Sequence, residues 1–456
     1  MQLLKKKDVD MLNGSIMKGL FAIALPLMIM NVLQSLFNII DMTVLKSFGP
    51  ADGYAVGAVG ACGTLISLIT GLLIGCSAGA NVVVAKRVGS GDIASARRAA
   101  GTAVAFAIVG GLVISAVGIL GARVFLTWMN CPDRLIDEAV LYFRLYFAGI
   151  PISMLYNFAA AVLRSTGDSR SPMLYLTLGG AVKILLNYVF VAHCNLTVVG
   201  VAIATMVSWS IAATLCLRTL VRSEGAVRLE KKHIRFYRTE LREILYIGLP
   251  TGLQQALYSI ANVIISATVN TFGTEATTGI SIANNFDGLL YQICHSPSLA
   301  VMPYVSQNVG AGNIKRAKQA VWRGILFTTL LGATFGAASA LFAVPLSSIM
   351  SSNAAVIAFS RQKMIIISST YFICGINDIM GATMRGMGKP IIPTVTTLLY
   401  MCAFRFLWVF VIFPLSPSLT FLYFVWPVGW VLSLLTLLCF YFPRARRLAM
   451  ESAARP

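Results

Sequence analysis

Residues 19–40 read GLFAIALPLMIMNVLQSLFNII, a run of 22 residues without a charged side chain. A helix needs about 20 mostly apolar residues to cross the hydrocarbon core of a bilayer, so this run predicts a first membrane span. The run is longer than the apolar core of a signal peptide, which has about 7–15 residues, and no small-residue cleavage site stands out after it. We therefore expect this span to remain in the mature protein.

The composition extends this interpretation to the whole chain. Of 456 residues, 57% are hydrophobic, which is enough for about a dozen such spans. Charged residues make up 12%, against about 25% in soluble domains. These values exclude an ordinary soluble enzyme, a disordered chain and a secreted disulfide scaffold. The nine cysteines form no Cys-x-x-Cys pair, so we interpret them as small buried apolar residues and expect no metal site from them.

Apolar runs separated by charged or turn-forming residues predict an all-α polytopic membrane protein with twelve transmembrane helices. A polar stretch at 222–242 separates the first six runs from the last six. The predicted spans are 18–41, 53–85, 99–122, 138–163, 173–192, 198–220, 243–269, 276–305, 321–345, 356–384, 391–413 and 419–442.

Positive charge is concentrated in alternate connections between the spans. The net charge is +19, and 28 of the 36 Lys and Arg residues fall on one predicted side, beginning with Lys5, Lys6 and Lys7. In membrane proteins that side is the cytoplasm. The pattern therefore predicts a multi-pass protein of the cell (inner) membrane with both termini in the cytoplasm, and we expect no nucleic-acid partner.

The two halves of the chain resemble each other at a spacing of 221–224 residues. Each half holds six predicted spans, an even number, so the repeats should run parallel, with a site between or within two six-helix lobes. The Gly-x-Gly loops of both halves should end one helix, and Asp92 or Asn313 should cap the next. The matched pairs are 23–26 with 247–250, 88–92 with 309–313, and 164–167 with 385–388.

We divide the chain accordingly into four parts. An N-terminal six-helix lobe covers 1–221, and a basic cytoplasmic linker covers 222–242. A C-terminal six-helix lobe covers 243–443, and a cytoplasmic tail covers 444–456.

Several motifs together resemble the multidrug and toxic compound extrusion (MATE) family of the bacterial type, over nearly the whole chain. The resemblance implies a V-shaped transporter with two lobes. It also implies antiport, in which H⁺ or Na⁺ drives export of small amphipathic, often cationic, organic compounds; no further cofactor and no enzymatic activity are expected. The motifs are Pro26, Asn-Ile-Ile-Asp at 38–41, VAKRVGSGD at 84–92, VSQNVGAGN at 305–313 and MRGMGKP at 384–390.

Two other functional classes fit the sequence less well. A flippase for lipid-linked saccharide or another lipid has a similar architecture, but it should line its cavity with several cations, and only Lys183 and Arg405 stand out as central cations. An intramembrane enzyme needs a metal or nucleophile motif such as His-Glu-x-x-His or Gly-x-Ser-x-Gly, and neither occurs. We therefore expect a transporter that acts as a monomer on a small molecule within membrane lipid.

Ionisable residues inside spans are costly in lipid, so each is a candidate functional residue. The resemblance assigns Asp41 to binding of the coupling cation or proton; the alternative is a structural acid neutralised by a neighbour. Where the family often has Asn-x-x-x-Asp in the fifth span, this chain has Lys183 and Asn187, on one helix face. Our hypothesis is that Lys183 pairs with Asp41 and that proton or substrate binding breaks the pair. Alternatively, Lys183 only satisfies the helix bundle.

In the second half, Asp287 and Asp378 match positions where the family often carries acids. They are expected to contact a cationic substrate, to relay protons or to form an ion pair with Arg405, the approximate repeat counterpart of Lys183. His295 is either a titrating group or a hydrogen-bonded core residue. The remaining candidates are Asn157 (counterpart of Asp378), Gln255 (where some branches place Glu), the kink-forming Pro26 and Pro250, and the cavity or packing residues Met28, Met30, Phe37, Tyr156, Tyr258 and Tyr291.

Overall fold

The computed structural model describes residues 9–48, 54–129, 131–194 and 196–453. Lys5, Lys6 and Lys7, together with the last three residues of the predicted tail, lie outside the described residues. Within the described ranges the chain forms twelve long helical rods and no β-strand. The rods are α1 Ile16–Phe48, α2 Tyr54–Gly89, α3 Ile93–Trp128, α4 Asp133–Ala148 with Ile150–Ser165, α5 Arg170–His193, α6 Thr197–Arg222, α7 Arg238–Asn270, α8 Thr274–Gly310, α9 Ile314–Leu341, α10 Ala354–Ser368 with Tyr371–Gly386, α11 Ile391–Leu415 and α12 Leu419–Ala453.

Each rod coincides with one predicted span, so the all-α fold class is confirmed. In the described part of the chain, eight rods are individually long and apolar enough to cross a membrane. The rods α4 and α10 qualify when their two segments, bent by 42° and 46°, are taken as one span each. The rods α7 and α8 do not pass this test, because polar residues such as Gln254, Asn262 and Asp287 lower their hydropathy.

The second set of six rods repeats the first in its local structure. Ile93 and Ile314, which begin α3 and α9, are 221 residues apart, and the bend of α4 recurs in α10. A wider π-helical turn occurs in α5 at Val189–His193 and again at nearly the same spacing in α11 at Trp408–Ile412. The repeat inferred from the sequence therefore extends to irregularities that apolar patterning does not encode.

The loops that follow α2 and α8 are built alike. Gly91 and Gly312 both have a φ of 74°, a left-handed conformation that residues with a Cβ rarely adopt. The side chains of Asp92 and Asn313 then each accept the backbone N–H three residues later, at 3.0 Å and 3.2 Å. The predicted helix caps are confirmed at both positions.

The chain separates into two compact units. Unit 1 consists of Met1–Val9 and Ile29–Gly252, and unit 2 consists of Asp10–Met28 and Leu253–Pro456. The beginning of α1 thus groups with the second half of the chain, and the beginning of α7 with the first half. The lobe boundaries predicted at 221 and 243 remain a prediction.

The beginning of α7 and the segment before it form ion pairs with α2 and α3 within unit 1. Arg98 Nε lies 2.9 Å from Glu240 Oε1, and Arg87 Nη2 lies 2.9 Å from Glu243 Oε1. Lys232 donates to Glu230 within the segment and lowers the pKa of that carboxyl group. The start of α7 therefore has specific partners on α2 and α3, and Glu230 of the preceding segment lies 3.5 Å from Arg97 of α3.

Four glycines bring α2 and α7 into close contact within unit 1. A Cβ at Gly75 would lie 2.3 Å from the Cα of Gly252, and a Cβ at Gly79 would lie 2.3 Å from the carbonyl oxygen of Ile244. Gly248 in turn lies against the backbone of α2 at residue 76. Each helix carries its glycines four residues apart, the small-xxx-small spacing that allows membrane helices to approach at the backbone.

Gly79→Val is expected to lower the stability of the protein by about 1–3 kcal/mol, because its side chain would force the two backbones apart. Thermal unfolding in detergent measures the effect. Gly60→Val is the matched control, since Gly60 lies on the same helix and a Cβ there meets nothing within 4 Å. Equal loss of stability in the two variants would contradict the close crossing.

Candidate functional site

A buried ion pair joins α1 to α5 in unit 1. Lys183 Nζ lies 2.6 Å from Asp41 Oδ2, and Asn187 Nδ2 donates to Asp41 Oδ1 at 2.6 Å. The side chains of Lys183 and Asp41 are 9% and 14% exposed. Lys183 and Asn187 are one turn apart, which places both on the face of α5 that meets Asp41. The structure thus brings together the three residues that the sequence predicted as the coupling site.

The partners of Asp41 are both hydrogen-bond donors. An ammonium and an amide N–H favour the charged carboxylate, and they occupy both of its oxygens. The described residues contain no group of three or more His, Cys, Asp or Glu side chains arranged to hold a metal ion.

A second buried ion pair lies in unit 2, between α8 and α10. Lys363 Nζ lies 2.9 Å from Asp287 Oδ2, and the two side chains are 3% and 11% exposed. Lys363 also donates to Asn284 Oδ1, one turn before Asp287. Lys363 was missed in the sequence, although it falls inside the predicted tenth span and an ionisable residue in a span is itself the signal.

The expected ion pair between Arg405 and Asp287 or Asp378 is wrong. Arg405 Nη1 donates instead to Asn262 Oδ1 at 2.6 Å. The physical reason is that α8 packs along both segments of α10, so Asp287 meets Lys363 there, whereas the arginine on α11 faces α7.

Arg405 is nevertheless almost fully buried, with 1% of its surface exposed. Its guanidinium carbon lies 5.2 Å from the ring centre of Tyr258 and 5.4 Å from that of Trp426. Its Nη2 atom has no hydrogen-bond partner among the described residues. The aromatic faces therefore take the place of a carboxylate beside this cation.

Asp378 pairs with a histidine. His295 Nδ1 lies 2.8 Å from Asp378 Oδ2, and Tyr291 stacks on the imidazole with ring centres 5.1 Å apart. Arg385 Nη1 donates to Gln254 Oε1 at 3.2 Å nearby. A small cavity of about 40 Å³ adjoins these groups and is also lined by Gln255.

A larger cavity of about 290 Å³ lies within unit 2. Its walls combine four aromatic side chains with one acid, one lysine and two asparagine side chains. Two of the aromatic residues, Tyr258 and Tyr291, were among the predicted cavity residues. The lining residues are Tyr258, Asn262, Ile265, Ser266, Val269, Ile280, Asn284, Asp287, Gly288, Tyr291, Lys363, Ile367, Tyr371 and Trp426.

The other predicted residues lie apart from these clusters. Asn157 donates to the carbonyl oxygen of Ser153 within its own helix, at 2.9 Å. Pro26 and Pro250 lie inside the continuous helices α1 and α7, and in both helices the boundary between the units falls two residues later. The kinks expected at these prolines remain a prediction.

A sequence model of the family described as MatE matches residues 26–189 and again residues 250–411. This chain belongs to the MatE family. The two matches begin at Pro26 and Pro250, so a single family pattern describes both halves of the chain and confirms the internal repeat.

Among MatE relatives, the chain is 25% identical to the probable multidrug resistance protein YoeA of Bacillus subtilis (strain 168), over 84% of each protein. It is 27% identical to the probable multidrug resistance protein NorM of Thermotoga maritima, over 84% of this chain and 82% of the relative. It is also 24% identical to the FAD transporter of Shewanella oneidensis, over 80% of this chain and 83% of the relative.

Solved structures give the same fold. One is the outward-facing conformation of a multidrug resistance MATE family transporter of the MOP superfamily, with 21% identity, a TM-score of 0.89 and coverage of 97% of this chain and 99% of that chain. Another is MATE in the straight conformation, with 21% identity, a TM-score of 0.88 and coverage of 98% and 99%. The MatE chain is therefore a twelve-helix membrane transporter and not an enzyme, and these comparisons give the flippase alternative no support.

Proposed function

We propose that this MatE protein is a monomeric exporter of the cell membrane that expels small amphipathic organic compounds in exchange for protons. The buried contact between Asp41 and Lys183 is the observation that supports this proposal most strongly. A carboxylate and an ammonium that meet inside a membrane span are costly to keep there and mark coupling sites in transporters. The proposal places both termini in the cytoplasm, as the distribution of Lys and Arg predicts.

The pair provides two states for coupling. With Asp41 ionised, Lys183 and Asn187 hold α5 against α1 through the carboxylate. Protonation of Asp41 removes the charge that Lys183 neutralises, so the contact weakens and the helices are released. A proton shifts the equilibrium between the paired and the released arrangement only if its affinity for Asp41 differs between the two. Breaking the charged contact with Lys183 supplies that difference in affinity.

The same geometry favours protons over sodium. Both groups on Asp41 are donors, so a sodium ion would have to displace an ammonium and an amide N–H and find oxygen ligands in their place. A proton needs only one carboxylate oxygen.

Transport in proteoliposomes with separately imposed gradients tests the proposal. An amphipathic cation such as ethidium and an amphipathic anion such as naphthalene-2-sulfonate should both be offered, because the charge of the substrate is a separate question. A pH gradient is expected to drive export of at least one of them, and a protonophore should stop it. Export driven by a sodium gradient alone, or no export of either compound under any gradient, would contradict the proposal.

A further inference from the structure

We propose that the 290 Å³ cavity of unit 2 binds a flat aromatic anion, an aryl carboxylate, sulfonate or phosphate, with Asn262 and Lys363 as donors and Arg405 behind them. This inference rests on the proposed function and gives the charge class of its substrate. It departs from the cationic compounds that the family resemblance suggested.

The charges of the residues around the cavity determine the charge of the ligand that it can hold. Asp287 is its one acidic lining residue among those described, and Lys363 neutralises that carboxylate at 2.9 Å. Asp287 Oδ1 has no hydrogen-bond partner among the described residues, but its charge is already matched. Arg405 then adds a positive charge with no carboxylate at ion-pair distance in the described chain. Arg405 does not line the cavity itself, but it contacts the lining residues Asn262, Tyr258 and Trp426, so the charges around the cavity sum to one positive charge.

The neighbouring small cavity does not remove this excess. Asp378 is its one described acid, and both His295 and Arg385 line the same space. Asp378 lies 2.8 Å from His295, and the guanidinium of Arg385 faces Gln254. The charges of Asp378, Arg385 and His295 sum to zero when the imidazole is neutral. They sum to one positive charge when the imidazole is protonated. The small cavity therefore adds no net negative charge that would offset the positive excess.

The contact with Arg405 fixes the orientation of the Asn262 side chain. Arginine has only donors, so the atom of Asn262 that meets Arg405 must be the carbonyl oxygen. The amide NH₂ group of Asn262, which carries two N–H donors, is not used by this contact and can face the cavity. Together with Lys363 it offers donors to an anion, and the buried charge of Arg405 polarises the amide toward that role.

Four aromatic side chains shape the walls of the cavity. Tyr258, Tyr291, Tyr371 and Trp426 line the cavity and offer flat faces to an aromatic ring. The volume is near the lower end of the range of about 300–1,000 Å³ that is usual for ligand pockets, so a ligand of about two fused rings fits best. Arg405 lies against the rings of Tyr258 and Trp426, so its positive charge is next to the aromatic wall.

Equilibrium dialysis of the purified full-length protein with radiolabelled naphthalene-2-sulfonate tests the inference. Its cationic isostere, 2-naphthyltrimethylammonium, serves as the comparison in the same detergent. We expect the sulfonate to bind about tenfold more tightly or better, and Arg405→Met to lower that affinity by about tenfold. Arg405→Lys should keep part of the affinity, because it keeps the charge but loses the guanidinium fork. Arg361→Met, which removes an exposed arginine from α10, should leave the affinity unchanged.

The preference for sulfonate over ammonium is measured with the wild-type protein alone. It therefore tests the anion site even if an Arg405 variant fails to fold. Equal or tighter binding of the cation overturns the inference, as does unchanged sulfonate binding by a folded Arg405→Met protein. If ethidium is exported in proteoliposomes but the sulfonate does not bind, this inference fails and the proposed function stands. If the sulfonate binds selectively but nothing is exported, the inference stands and the proposed function fails.

Discussion

Asp41→Asn is expected to abolish accumulation driven by a pH gradient. A gradient of one pH unit supplies about 1.4 kcal/mol per proton, which supports roughly a tenfold concentration ratio for one-to-one exchange. Asparagine keeps the size of the side chain but cannot bind a proton, so the ratio should fall to one. Proteoliposomes loaded with the exported compound measure this ratio directly.

Asp92→Asn is the matched control for this variant. Asp92 is an exposed cap of α3, and Asn313 shows that asparagine fills the same role at the corresponding position of α9. The control should therefore fold and accumulate substrate like the wild-type protein. Full accumulation by the Asp41→Asn protein would contradict the assignment of Asp41 as the coupling group.

Lys363→Met is expected to destabilise the protein by about 3–5 kcal/mol, because it leaves the carboxylate of Asp287 buried without a cation. Asp287→Asn in the same chain should restore most of the loss, since the pair is then replaced by two neutral side chains. Thermal unfolding in detergent of the two single variants and the double variant measures the coupling between the residues.

Arg361→Met provides the comparison here, because Arg361 is exposed on the same helix, two residues before the buried Lys363. Its stability should remain close to that of the wild-type protein. If the Lys363→Met protein were as stable as the Arg361→Met protein, the contact between Lys363 and Asp287 would contribute little to the stability of the protein. If the double variant were as unstable as Lys363→Met, the loss of stability would have a cause other than the unpaired carboxylate of Asp287.

The helices could be predicted from the sequence because a membrane span is a local property. An uncharged run such as 19–40 is enough to place α1, and the repeat places α7. The loop geometry at Gly91 and Gly312 was predictable for the same reason, since a glycine and a capping side chain act within a few residues.

The partners of the buried charges were predictable only where the family resemblance pointed to both sides of the contact. The spacing of Lys183 and Asn187 placed them on one face of α5, and the resemblance pointed to Asp41. The partner of Asp287 depends on how α10 packs against α8, which no local pattern encodes. Lys363 was therefore overlooked, and Arg405 was matched to the wrong groups.

The repeat also misled the prediction for Arg405, because the two halves share geometry but not chemistry. The helices α1 and α5 meet through an aspartate and a lysine, whereas α7 and α11 meet through Asn262 and Arg405. The repeat counterpart of Asp41 is Ile265, a buried apolar residue with 3% exposure. Arg405 contacts the amide one turn earlier instead, and this substitution leaves the positive charge on which the anion site depends.

Proton flux driven by substrate tests the central claim most directly. An antiporter exchanges its two ligands obligatorily, so a gradient of the exported compound must move protons in the opposite direction when no pH gradient is imposed. A pH-sensitive dye trapped in proteoliposomes should report this flux for the wild-type protein and none for Asp41→Asn. Substrate movement without any change in internal pH, or an equal change with the Asp41→Asn protein, would contradict proton coupling through this residue.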